Sequence, residues 1–173
     1  RGPLAVTLGH KGLAWGAGEH RAAMPAGFRV KHEGDKCSPA GVFGIPFAFG
    51  TASVGEASWM KLDYKALTPS IIGVDDPQSV HYNEIVDSTV VERDWESNEP
   101  MLRHDRLYEW GAFIGHNPAR TPGAGSCIFF HLWPGPGRGT AGCTAMSTED
   151  LRTVLGWLDP ARRPLLVQGL EDW

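Results

Sequence analysis

The chain has 173 residues and a mass of 18.8 kDa, with 42% hydrophobic and 21% charged residues. These globular proportions exclude wholesale disorder and allow a core that needs no disulfide framework. Sixteen basic against 20 acidic residues give a net charge of −4, which supplies no general attraction to nucleic acid or anionic membranes.

The length suits a single domain over residues 1–173, and 22 Gly with 13 Pro argue for many turns and few long helices. No apolar run is long enough for a transmembrane segment. Arg1-Gly2-Pro3-Leu4 lacks the basic stretch and apolar core of a signal peptide. Either the protein is cytosolic or a targeting segment has been removed.

Along the chain, Leu4–Gly9 and Gly12–Gly16 are short apolar runs broken by glycine, a pattern that suits a hairpin. Ala40–Ile45 reads as a strand after a turn at Ser38-Pro39. Residues 51–100 are polar and turn-rich, too long for a structureless loop, and predict a functional lid or short helices. Within them Asp75-Asp76-Pro77 reads as a turn. Gly111–Gly115 and Ser126–Trp133 read as strands separated by a Pro/Gly loop, with Tyr108 and Trp110 as core. Ser147-Thr148-Glu149-Asp150 has a capping-box pattern, and Leu151, Val154, Leu155 and Leu158 follow at helical spacing until Asp159-Pro160. Residues 164–168 form a last strand. The sum is a mostly β fold with one or two short helices.

The chemistry concentrates between Gly125 and Met146. In a strand over Ser126–Trp133, Cys127, Phe129 and His131 share one face while Ile128, Phe130 and Leu132 share the other. A glycine-rich loop then carries the chain to Cys143, close before the helix. A thiol near a helix N-terminus would have a lowered pKa, His131 would serve as its proton acceptor, and Gly142 would let backbone N–H groups form an oxyanion hole. The alternative is a cysteine buried for packing among small residues.

Two motifs bear on that alternative. Thr140-Ala141-Gly142-Cys143 downstream of His131 resembles the catalytic signature of the L,D-transpeptidase (YkuD-type) family, in a divergent branch. Lys31-His32-Glu33-Gly34-Asp35-Lys36-Cys37-Ser38-Pro39-Ala40-Gly41-Val42-Phe43 resembles that family's Gly-Asp-x-x-Thr/Ser-Pro-x-Gly-x-Phe turn. The resemblance implies a β-sandwich-like mixed-sheet core, with one helix after the cysteine. It implies Cys143 as nucleophile, His131 as base, and Thr140 and Gly142 as shapers of the loop and oxyanion site. The implied reaction is peptidoglycan L,D-transpeptidation. The Cys143 thiolate attacks the L,D amide at diaminopimelate of a stem peptide, and the thioester is transferred to an acceptor amine. An L,D-carboxypeptidase or endopeptidase using the same dyad, or a non-catalytic peptidoglycan-binding module, are the alternatives. The implied setting is the periplasm, with donor and acceptor stem peptides as partners, carbapenem-type β-lactams as covalent inhibitors, and no cofactor.

Stem peptides carry free carboxylates and amines, so Arg138 is expected to pair a carboxylate, unless it is a solvated surface arginine. Tyr82, Asn83 and Glu99 are expected to face substrate from a cap formed by the middle region, whose alternative is a turn-rich excursion packed on its own aromatics. His116 and Asn117 are placed near the site, with a strand-end turn as the alternative. Cys37 and Cys127 are either a disulfide or two buried free thiols. The glycine pattern from Gly135 to Gly142 is not a dinucleotide loop, because Pro134 and Pro136 interrupt it and one strand remains afterwards. Neither a zinc-binding His-Glu-x-x-His nor a Gly-x-Ser-x-Gly elbow occurs.

Overall fold

The structure is a computed structural model that describes residues 2–171; Arg1, read above with the N-terminal run, lies outside them. Its strands are β1 (Val6–Thr7), β2 (Leu13–Trp15), β3 (Ser38–Gly44), β4 (Ala48–Gly50), β5 (Tyr64–Ala66) and β6 (Ile71–Val74). They continue with β7 (Ile85–Asp87), β8 (Asn98–Pro100), β9 (Trp110–Phe113), β10 (Phe129–Leu132), β11 (Thr144–Met146) and β12 (Leu165–Gln168). The helix α1 (Thr148–Trp157) follows β11 directly, and a 3-10 turn at Pro160–Arg162 precedes β12. The architecture is mostly β with mixed sheets, consistent with an L,D-transpeptidase-type sandwich.

A six-stranded sheet in the order β1-β11-β10-β9-β4-β5 organises the molecule. In β10, Phe130 and Leu132 enter one apolar cluster with Ile114, Met146, Leu151 and Leu155. Phe129 enters another with Phe49, Tyr108, Cys127 and Cys143. This is the alternation expected from the strand period, and it explains why all four residues of β10 are buried: both faces of the sheet are covered. On one face α1 inserts Leu151 and Leu155, both fully buried, each contributing about 1.5–3 kcal/mol of apolar burial.

The helix starts where the capping pattern puts it. The Ser147 hydroxyl accepts from the Asp150 N–H at 3.1 Å and donates to its carboxylate at 2.8 Å.

The N-terminal runs do not form a hairpin. β1 lies antiparallel to β11, and β2 lies parallel to β3 in a second sheet ordered β12-β3-β2. A tight turn, Gly12 N–H to the Gly9 carbonyl at 2.8 Å, takes the chain from one sheet to the other. Each run is two or three residues long, and each completes the edge of a larger sheet rather than pairing with its neighbour.

The middle region holds no helix among the described residues. Instead Ile71–Val74, a run with three β-branched residues, becomes the centre of a third sheet, β7-β6-β8. Asp76 makes the expected turn, its carboxylate accepting from the N–H groups of Gln78 and Glu96 at 2.9 and 2.7 Å. This small sheet packs Ile85 and Met101 into the cluster that holds Cys143, so the middle region supplies a wall of the site. No described helix is long and apolar enough to cross a membrane.

Candidate active site

The turn that begins the first motif is closed by Asp35. Its buried carboxylate accepts from Lys31 Nζ at 2.7 Å and from the N–H groups of Cys37 and His32 at 2.9 and 3.0 Å. Burial alone would raise the pKa of this carboxyl, but these donors hold it below the usual carboxylate range. Gly34 and Lys36 sit at φ +69° and +62°, the left-handed backbone that lets the chain reverse there. The turn delivers Ser38, fully buried, to the second motif: its hydroxyl accepts from Gly9 N–H at 2.9 Å and donates to the Cys143 carbonyl at 3.0 Å. Two segments 105 positions apart are thereby joined at the cysteine itself.

Thr140 holds the loop from the other side. Its hydroxyl donates to the Cys143 carbonyl at 2.6 Å and accepts the Gly142 N–H at 3.1 Å. Thr140 thereby links the Gly142 N–H and the Cys143 carbonyl within the loop. What position 142 requires of glycine is closeness: a Cβ there would meet the Cys37 carbonyl oxygen at 3.1 Å and Ile128 Cδ1 at 3.2 Å. Beyond Cys143, Thr144 donates to the buried Gln168 side chain at 2.7 Å, which in turn donates to the Pro39 carbonyl at 2.6 Å. This tie among β11, β12 and β3 had no sequence signature.

Cys143 and His131 line one cavity of about 330 Å³. His131 Nδ1 lies 2.6 Å from the Leu132 carbonyl, so Nδ1 carries the proton and Nε2 keeps its lone pair. Tyr108 packs edge-on against the imidazole, with ring centres 5.4 Å apart. The Cys143 sulfur accepts the Phe129 N–H at 3.3 Å.

The helix does not acidify this thiol. Strand β11 stands between Cys143 and α1, and a terminal dipole fades within a turn. Burial dominates and pushes the Cys143 thiol up to about 12, with the Glu99 carboxylate acting in the same direction. Burial also lowers the His131 pKa below its ordinary value. Both shifts favour a neutral thiol and a neutral imidazole at rest, and the thiol lies 3.7 Å from the Cys127 carbonyl oxygen, to which it donates.

The other expected site residues divide. Arg138, exposed, and Glu99 both line the cavity with Cys143. Tyr82, Asn83, His116 and Asn117 do not: they are buried behind it, in a framework of bonds to backbone. Asn83 Nδ2 donates to the carbonyls of His116 and Asn117 at 2.9 and 3.0 Å, and its Oδ1 accepts the Cys127 N–H at 2.9 Å. Asn117 Nδ2 donates to the carbonyls of Thr121 and Gly125. His116 donates from Nε2 to the Ala124 carbonyl at 3.0 Å, and burial drives its pKa down to about 4. The Tyr82 hydroxyl donates to Glu33 at 2.5 Å and accepts from Gly125 N–H. Asn83, His116 and Asn117 pair backbone of the segment between β9 and β10, which lies outside any strand, and Tyr82 ties that segment at Gly125 to the Glu33 side chain.

All three cysteines are free and buried. Cys37 Sγ contacts the Lys11 and Asp35 carbonyls, and Cys127 Sγ contacts that of Val74, so the two do not pair. Lys31, Glu33, Asp75 and Arg103 complete the charged lining; Asp75 and Arg103 lie in no motif, and only the fold brings them in. The described residues hold no cluster of His, Cys, Asp and Glu suited to a metal ion.

Searches of curated proteins and of solved structures returned no match. The family model for the L,D-transpeptidase catalytic domain (YkuD) matches residues 9–167, a span that contains both motifs and every residue lining the cavity. On that match, the chain belongs to the L,D-transpeptidase catalytic domain family.

Proposed function

We propose that the chain acts as one catalytic domain, a peptidoglycan L,D-transpeptidase with Cys143 as nucleophile and His131 as base. The observation that carries this reading is that both residues line one charged cavity, with the imidazole tautomer set by the Leu132 carbonyl. Nε2 takes the thiol proton as sulfur attacks the carbonyl of the L,D amide at diaminopimelate. The imidazolium then gives that proton to the departing amine, the terminal D-residue leaves, and a thioester remains on Cys143. An acceptor amine attacks the thioester, the C–S bond breaks, and the cross-link forms. Arg138, exposed on the cavity lining, is the group for a stem-peptide carboxylate. None of these steps uses a cofactor. The polymer lies outside the cytoplasmic membrane, so the reading carries a periplasmic location with it.

The test is incubation with purified muropeptides and mass measurement of the products. Dimers together with a released D-residue are expected from the wild type, and neither from Cys143→Ala. Trimmed monomers without dimers would replace the transferase by a carboxypeptidase using the same dyad. Products unchanged in Cys143→Ala would remove the nucleophile assignment.

A further inference from the structure

The cavity has a second carboxylate–tyrosine arrangement that the two half-reactions above leave without a role. Glu99 comes from β8 of the small third sheet, far in sequence from both motifs, yet it lines the cavity with Cys143 and His131. Its Oε1 receives both of its bonds, from the Tyr108 hydroxyl at 2.5 Å and from Arg103 Nη1 at 3.4 Å. Oε2 has no hydrogen-bond partner among the described residues. Tyr108, the residue that fixes Glu99, is also the one packed edge-on against His131, and the Arg103 guanidinium lies over the Tyr108 ring at 5.1 Å. Arg103 is itself bonded to Asp105, so its charge is shared rather than spent on Glu99. Burial raises the Glu99 pKa, and of the charged groups around Cys143 it acts most strongly on the sulfur.

A positioned carboxylate with one free oxygen, in the cavity where the thioester would form, suits an incoming cation. The acceptor of an L,D-transpeptidase is an amine, which arrives from water as an ammonium with no lone pair for attack. We infer that Glu99 is the acceptor-side catalytic residue: its Oε2 binds the acceptor ammonium and removes the first of its protons. The proton balance closes. The ammonium has three N–H bonds and the product amide keeps one. The first proton goes to Glu99. The amine then attacks the thioester carbonyl, forming C–N as C–S breaks, and the second proton passes through His131 Nε2 to the departing thiolate. Glu99 returns its proton to solvent.

This inference rests on the transpeptidase reading, and its test separates the half-reactions. The full chain is given a tetrapeptide muropeptide as donor and a diaminopimelate-containing tripeptide as acceptor. Released D-residue reports acylation, and cross-linked peptide reports transfer. For Glu99→Gln, transfer is expected to fall at least tenfold more than acylation, with the acceptor concentration for half-maximal transfer raised and the difference appearing as hydrolysed donor or persistent acyl-enzyme. Tyr108→Phe, which removes the hydroxyl that orients Oε1, is expected to shift the partition the same way by several-fold. An unchanged partition in folded Glu99→Gln, or equal losses in both half-reactions, would overturn the inference while leaving the Cys143 chemistry standing. Should Glu99→Gln fail to fold, an unchanged partition in Tyr108→Phe would overturn it. A wild type that never acylates would defeat the transpeptidase reading, and this inference with it.

Discussion

The surroundings of Cys143, the nucleophile we propose, favour a resting thiol over a thiolate. The sulfur is buried, accepts the Phe129 N–H, donates to the Cys127 carbonyl and shares its cavity with the Glu99 carboxylate, so protonation is favoured. His131 is also held neutral by burial. The sign of the pH dependence follows: with the thiol pKa raised from 9.0 to about 12, the thiolate fraction at neutral pH is smaller than for free cysteine and grows as pH rises. Alkylation of Cys143 by iodoacetamide is therefore expected to be slower than that of free cysteine at pH 7 and still climbing above pH 9. A rate that levels off by pH 8 would mean a standing thiolate–imidazolium pair. The two motifs were legible because they are local patterns: His131 followed by Thr140, Gly142 and Cys143 resembles a family signature that a single run of sequence displays. Tyr82, Asn83, His116 and Asn117 were not legible in the same way. Their polarity is the same whether it serves a ligand or an unpaired backbone, and here it serves the backbone.

Among the elements, α1 was legible almost to the residue, because a cap and a periodic apolar stripe are both local signals. The Ser147 hydroxyl is one side of that cap, and Ser147→Ala is expected to cost about 1 kcal/mol, read from the urea midpoint. An unchanged midpoint would mean that the cap contributes nothing beyond solvent. The short strands were harder, since their partners are set by register with distant strands. β1 finds β11 and β2 finds β3, and nothing within either run encodes that choice. The same is true of β8, three residues long, whose placement beside β6 is what brings Glu99 into the cavity.

At the scale of the whole molecule, the fold's task is to bring two distant motifs onto one cysteine. Ser38 and Thr140 both donate to the Cys143 carbonyl, one from each motif, while the middle region closes the far wall with Asp75 and Glu99. The order of the motifs was visible in the sequence, but their contact was not, because it depends on β3 and β11 belonging to different sheets that meet at this point. The glycine excess has two causes: Gly34, Gly123, Gly135 and Gly137 hold positive φ in open turns, while Gly139 and Gly142 pass close to the backbone of His10 and Cys37. The account stands on Cys143 forming a covalent acyl-enzyme. Intact-mass measurement and peptide mapping after incubation with a carbapenem, and in parallel with a stem tetrapeptide, test this directly. The account predicts one acyl adduct per chain, mapped to Cys143 and absent from Cys143→Ala. An adduct that persists in Cys143→Ala, or no adduct on the wild type with either reagent, would contradict it.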